Sequence, residues 1–138
     1  MLVAGTASFF ITSQAPSVIS VGTDSDLVTI PTDTLGREQL KFYSFHDRAG
    51  EELRFILARN SKGEVHAAMD ACERCYMYHK GYMWSHGYLV CKFCGNRYKL
   101  QTMESGLASC VPVKLPIRVT RRGVNIKSAD LEHQRGLF

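Results

Sequence analysis

Apolar and polar residues alternate in short runs along this chain, and the runs are spaced like strands. Leu27-Val-Thr-Ile30 is β-branched and ends at Pro31, a residue that cannot donate to a sheet ladder. Leu40-Lys-Phe-Tyr-Ser-Phe45 is a second run. Leu53-Arg-Phe-Ile-Leu-Ala58 is a third, with Leu53, Phe55 and Leu57 on one face. Asn60-Ser-Lys-Gly63 is a turn signal and Glu64-Val-His-Ala-Ala-Met69 returns from it, so residues 53 to 69 predict a β-hairpin. Tyr88-Leu-Val-Cys91 and Arg97-Tyr-Lys-Leu100 flank Cys94-Gly95 and predict a tighter one. Val113 to Thr120, the turn Arg121-Arg-Gly123, and Val124-Asn-Ile-Lys127 predict a third, with Pro116 at an edge or bulge. No segment keeps a 3.6-residue period over three turns. The expected fold is mainly β, with small sheets and hairpins, long loops, and a CxxC…CxxC metal knuckle.

Three regions follow from the pattern. Residues 1–26 read as an apolar arm or leader-like segment, 27–127 as the β domain, and 128–138 as a polar, loosely held tail. No Lys, Arg, Asp or Glu occurs from Leu2 to Thr23, and Ser13-Gln14-Ala15 has the small-x-small form of a leader-peptidase site. A basic region before it is missing and Pro16 follows it. Residues 1–23 therefore read as an export signal or anchor, as an arm that packs on a partner, or as a self-packed terminus.

Composition narrows the class. Of 138 residues, 45% are hydrophobic and 22% charged, which provides enough apolar material for a core and excludes disorder over the whole length. No run of about 20 strongly apolar residues is present, which excludes a polytopic membrane protein. The formal net charge of +4 is too small to imply a nucleic-acid partner, and no phosphate-cradling pattern occurs, so none is expected.

Cysteine carries the chemistry. All five lie in the second half: Cys72-Glu-Arg-Cys75, fifteen residues, Cys91-Lys-Phe-Cys94, fifteen residues, Cys110. An odd, clustered count is unlike a secreted disulfide scaffold. Two CxxC pairs at this spacing can place four thiolates on one centre, and tetrahedral sulfur suits zinc, a single iron or an iron–sulfur cluster. Local disulfides or free thiols are the alternative. Gly95 follows the last pair, where a backbone shape that glycine tolerates is needed and its N–H can point at sulfur. Cys110 reads as a buried small hydrophobe, a further ligand or a resolving thiol.

The residues between the pairs are unusual. Tyr76 to Tyr88 holds four tyrosines, Trp84, Met77, Met83, His79 and His86. Thioether and imidazole are copper-type ligands, so Met77, His79, Met83 and His86 form a candidate second metal site. The plainer reading is a small domain covering its metal with aromatic and thioether side chains. From Cys72 to Leu100 one acid, Glu73, faces five bases, so the local net is +4. Arg74, Lys80, Lys92 and Arg97 read as a docking rim or as an ordinary solvated surface.

The motifs resemble a known family. Asp70-Ala-Cys-Glu-Arg-Cys75, Lys80-Gly-Tyr82, Leu89-Val-Cys-Lys-Phe-Cys-Gly95 and Cys110-Val-Pro112 are similar to the FtrD-like domain, and the resemblance covers roughly Leu27 to Lys127. It implies an iron–sulfur centre on Cys72, Cys75, Cys91 and Cys94, with Cys110 as a further candidate. It also implies membrane association, a place in the periplasm or otherwise outside the cytoplasm, and work with a membrane-bound redox or iron-transport partner. The expectation is an electron-transfer or metal-handling domain and not an enzyme, because no nucleophile–base–orienter set can be read. The alternative is a zinc-ribbon-like structural module of an accessory subunit, with association through residues 1–23.

Overall fold

The computed structural model describes residues 18–23, 25–100 and 111–138. Their strands are β1 (Val18–Val21), β2 (Leu27–Ile30), β3 (Gln39–His46), β4 (Glu52–Arg59), β5 (Val65–Cys72), β6 (Tyr82–Ser85), β7 (Tyr88–Cys91), β8 (Arg97–Tyr98), β9 (Pro112–Lys114), β10 (Arg118–Thr120) and β11 (Gly123–Lys127). One α-helix, α1 (Ser128–His133), follows. Three sheets result, ordered β1-β3-β4-β5-β9, β10-β11-β2 and β6-β7-β8.

The five-stranded sheet is the centre, and it is covered on both faces. One face presents Tyr43, Phe45, Leu53, Phe55, Leu57, Ala67, Met69 and Ala71 to Val28, Ile30, Val124, Ile126 and Leu131. The other presents Leu40, Phe42, Ile56, Ala58, Ala68 and Cys72 to Tyr82, Leu89, Cys91, Tyr98 and Leu100. Leu53, Phe55 and Leu57 do share a face, as their alternation predicts. Ile56 and Ala58 are equally buried on the opposite one. A strand covered on both sides reads as a nearly continuous apolar run, and this is how residues 53–58 read.

The hairpins at 53–69 and 88–98 form as expected. Asn60 builds the first turn by accepting the N–H groups of Lys62 and Glu64 on Oδ1, both at 3.0 Å. The third hairpin is narrower than predicted. Residues 115–117 interrupt the run at Pro116, so β9 pairs with β5 in the central sheet while only β10 pairs with β11. Val18–Val21 is a parallel edge strand on β3, so this part of the expected arm belongs to the chain's own sheet; residues 1–17 lie outside the described residues.

The region read as a loose tail is instead helical at 128–133 and packed. Leu131 is fully buried, and the Arg135 Nε–H donates to Asp47 Oδ2 at 2.6 Å. Asp47 Oδ1 also accepts the Glu51 N–H at 2.9 Å. Burial pushes this carboxyl up, but the Glu51 N–H and the Arg135 guanidinium outweigh it, and the group sits below its ordinary value of 3.8. A carboxylate with a depressed folded-state value stabilises the fold above its unfolded value and loses that contribution as the pH falls through the folded one. Asp47→Asn is therefore expected to lower the Tm at neutral pH. The gap to the unmodified protein should close as the pH drops below 3.8; a gap independent of pH in thermal scans would show that the ion pair does not hold the C-terminus.

Candidate metal centre

Two strand ends meet beneath the small β6-β7-β8 sheet. Cys72 closes β5 and Cys91 closes β7. The β5–β9 register shifts between Ala68 and Cys72, which turns the end of β5 out of regular pairing. The Sγ atoms of Cys72, Cys75 and Cys91 lie within 4.8 Å of one another. Cys72 and Cys91 are 3% and 2% exposed, Cys75 is half-buried and Cys94 is exposed.

Backbone N–H groups surround the buried sulfurs. The Arg74 and Cys75 N–H groups donate to Cys72 Sγ, each at 3.4 Å. The Phe93 and Cys94 N–H groups do the same for Cys91, whose sulfur also interacts with the Cys94 thiol. Each C-x-x-C turn thus points two amide dipoles at its first cysteine, an arrangement suited to a thiolate. Burial pushes the Cys91 thiol up, the two N–H groups oppose this, and the neighbouring Cys94 thiol adds to the rise. A protonated thiol there is favoured until a cation replaces the proton.

Gly95 has φ +76°, the left-handed backbone that a side chain would strain. Its N–H donates to the Cys91 carbonyl at 2.9 Å rather than to sulfur, closing the turn. Gly81 answers a second need. A Cβ there would stand 2.9 Å from Asp70 Oδ1, at φ +67°. The same carboxylate oxygen accepts the Tyr82 N–H at 2.7 Å, so Asp70 ties β6 to the end of β5. Burial raises the Asp70 carboxyl, against the Tyr82 N–H and the positive fields of Arg54 and Lys92.

Two contributors are missed by spacing alone. Tyr82 is buried, and its side chain is hydrogen-bonded to that of Cys72. Its hydroxyl is pushed far up by burial and by the sulfurs of Cys72 and Cys91, so it stays protonated and donates to sulfur. Tyr98 meets the Tyr82 ring edge-on, with centroids 6.4 Å apart. Strand β6 itself, which carries Tyr82, is hidden in the aromatic run. His86-Gly87, both with positive φ, is a two-residue hairpin turn between Tyr82–Ser85 and Tyr88–Cys91, and that dipeptide is the signal that reveals it.

The remaining candidates separate. Among the described residues, the Cys72, Cys75 and Cys91 set is the one group of three or more His, Cys, Asp or Glu ligand atoms close enough to share a metal. His79 and His86 are in no such group. The His86 Nδ1 pairs with Ser85 Oγ at 2.9 Å, and Met77 and Met83 are exposed. Arg74, Lys80, Lys92 and Arg97 are all exposed. Cys110 lies outside the described residues.

A family model described as "Membrane iron-sulfur containing protein FtrD-like" matches residues 35–138. No curated protein matches. Among solved structures, a chain of "Complex of reduced oxygenase and oxidized ferredoxin in carbazole 1,9a- dioxygenase" is similar at 12% identity and a TM-score of 0.49. The match covers 76% of this chain and 95% of that one. Among the described residues no helix is long and apolar enough to cross a membrane.

Proposed function

The chain belongs to the FtrD-like family of membrane iron–sulfur proteins, and from that premise we propose that it is a one-electron carrier domain working outside the cytoplasm. Its partner in this reading is a membrane-bound redox or iron-transport protein. The observation that carries the reading is the convergence of three cysteine sulfurs within 4.8 Å at the meeting point of β5 and β7.

The donor set fits the group. Cys72, Cys75 and Cys91 would hold an iron–sulfur centre, with Cys94, beside Cys91, completing the set. When bound, such a centre takes up and releases single electrons. The chain's own residues do the rest. The four amide N–H groups and the Tyr82 hydroxyl spread the negative charge of the thiolates. Leu89, Tyr82 and Tyr98 exclude water from the inner side, while the Cys94 side opens to solvent. No catalytic role is proposed. A location outside the cytoplasm is supported by the charge-free run Leu2–Thr23 and its leader-like Ser13-Gln14-Ala15.

Iron and acid-labile sulfide analysis on protein purified without oxygen, with a visible spectrum before and after dithionite, tests this. Thiolate-to-iron absorption that bleaches on reduction is expected. One zinc per chain with no colour would replace the carrier with a structural zinc module, since the same thiolates suit either metal.

Tyr82→Phe is a sharper check. Removing a donor from the Cys72 sulfur disfavours the reduced, more negative state. The midpoint potential is expected to fall with iron content unchanged; an unmoved potential in a spectroelectrochemical titration would remove Tyr82 from any tuning role.

A further inference from the structure

We propose that the loop tips beside the cysteine cluster are the contact surface for an acidic one-electron redox protein. The proposal rests on the carrier reading above and adds which face is used and what it fits.

Six large apolar side chains are markedly exposed among the described residues: Ile19, Met77, Tyr78, Met83, Phe93 and Val119. Three of them crowd the cysteines. Met77 and Tyr78 lie in the 3-10 turn that follows Cys75, and Phe93 sits between Cys91 and Cys94. They are 58%, 49% and 50% exposed. Tyr78 and Phe93 stack across the two C-x-x-C turns, with centroids 3.8 Å apart and planes 8° from parallel. Two loops far apart in sequence therefore present one flat aromatic platform to solvent. Large exposed rings are costly without a use, and contiguous exposed apolar patches mark interaction sites.

The platform is bordered by cations. Arg74 and Lys92 lie inside the two C-x-x-C turns and Lys80 follows Tyr78 closely; all three are exposed, and Glu73 is the one acid from Cys72 to Leu100. An apolar centre with a border of net positive charge is the anatomy of a small, steered, short-lived interface. The matching surface is an apolar spot bordered by Asp and Glu. A partner with its own redox centre is favoured over a bilayer because the exposed Cys94 edge opens on this same side. Hydrocarbon pressed against that edge would leave no acceptor there. On docking, one electron passes between the two centres. No bond forms and no proton moves.

Stopped-flow oxidation of the dithionite-reduced protein tests the idea, with oxidised plastocyanin as the acidic acceptor and cytochrome c as the basic one. The copper goes from Cu(II) to Cu(I) as the protein loses one electron. The rate constant with plastocyanin should exceed that with cytochrome c after correction for driving force, and should fall about tenfold or more with added salt. Arg74→Glu with Lys92→Glu should reverse the preference. Tyr78→Ser with Phe93→Ser should slow plastocyanin at high salt with the visible spectrum intact, and Lys80→Glu provides a milder charge variant in case the double variants fail to fold. Equal rates with both acceptors, or rates indifferent to these changes, would overturn the docking surface and leave the carrier reading standing. A protein with no reducible centre would overturn both. Binding to phosphatidylglycerol vesicles lost on Tyr78→Ser with Phe93→Ser, without acceptor preference, would assign the surface to an anionic membrane instead.

Discussion

Replacing Cys91 by alanine is expected to cost the protein its bound iron and its visible absorption. Cys91 is 2% exposed, so no water or added thiol reaches the vacated position without opening the cluster formed by Leu89, Tyr82 and Tyr98. Its sulfur also lies within 4.8 Å of those of Cys72 and Cys75 after β5, so a bound metal would cross-link the small sheet and the central one. Thiolate metal sites contribute on the order of 10 kcal/mol of apparent folding free energy in small domains. The three-stranded sheet, whose last strand has two residues, would then be held to the central one by its apolar contacts and the Asp70–Tyr82 hydrogen bond. Amide exchange in β6, β7 and β8 should accelerate while β3, β4 and β5 stay protected. Cys94→Ala should be milder, because that side chain is exposed and solvent or an added thiol can take its place. Full iron content and an unaltered spectrum in Cys91→Ala would remove it from the ligand set.

Phe55→Ala should produce a large loss of global stability without touching the metal residues. Phe55 is fully buried at the middle of β4, between Tyr43 on β3 and Met69 on β5. Its ring stacks on Tyr43 with centroids 5.2 Å apart. Truncating a buried aromatic removes its transfer free energy and leaves a cavity, together about 3–5 kcal/mol. A domain of this size has about 5–15 kcal/mol in total, and the Tm should fall on the order of 10–15 °C. Val119→Ala, at a position 54% exposed, should change stability by less than about 0.5 kcal/mol. Both belong in denaturant titrations at equal metal loading, since metal binding alone shifts the transition. A cost for Phe55→Ala near that of Val119→Ala would mean that Tyr43 and Met69 do not pack on this ring.

The features legible from the chain are those written within a few residues. Pro31 ends β2 because it has no N–H to donate. Asn60 and Gly63 make their turn from their own side-chain and backbone preferences. Cys72-x-x-Cys75 and Cys91-x-x-Cys94 identify a sulfur site because a short turn is enough to bring the two thiols of each pair near one another. The family resemblance rests on the same local motifs, and the family match extends it through Phe138.

What the chain hides depends on partners far along it. Val18 pairs with Phe42, and nothing local to Val18–Val21 says so. Residues 113–120 look like one strand, yet Pro112–Lys114 joins Cys72 and Ala68 while Arg118–Thr120 joins β11. Residues 128–138 look polar, yet Leu131 finds the core and Arg135 finds Asp47.

A mainly β chain with a sulfur site in its second half can be read from residue order, because strand periodicity, turn chemistry and C-x-x-C spacing act over a few residues. Only the folded chain shows which three of those sulfurs cluster, that Tyr82 reaches the Cys72 sulfur, and that Tyr78 stacks on Phe93. Those contacts join segments 10 or more residues apart, and burial on both faces of the central sheet, not any local preference, brings them together.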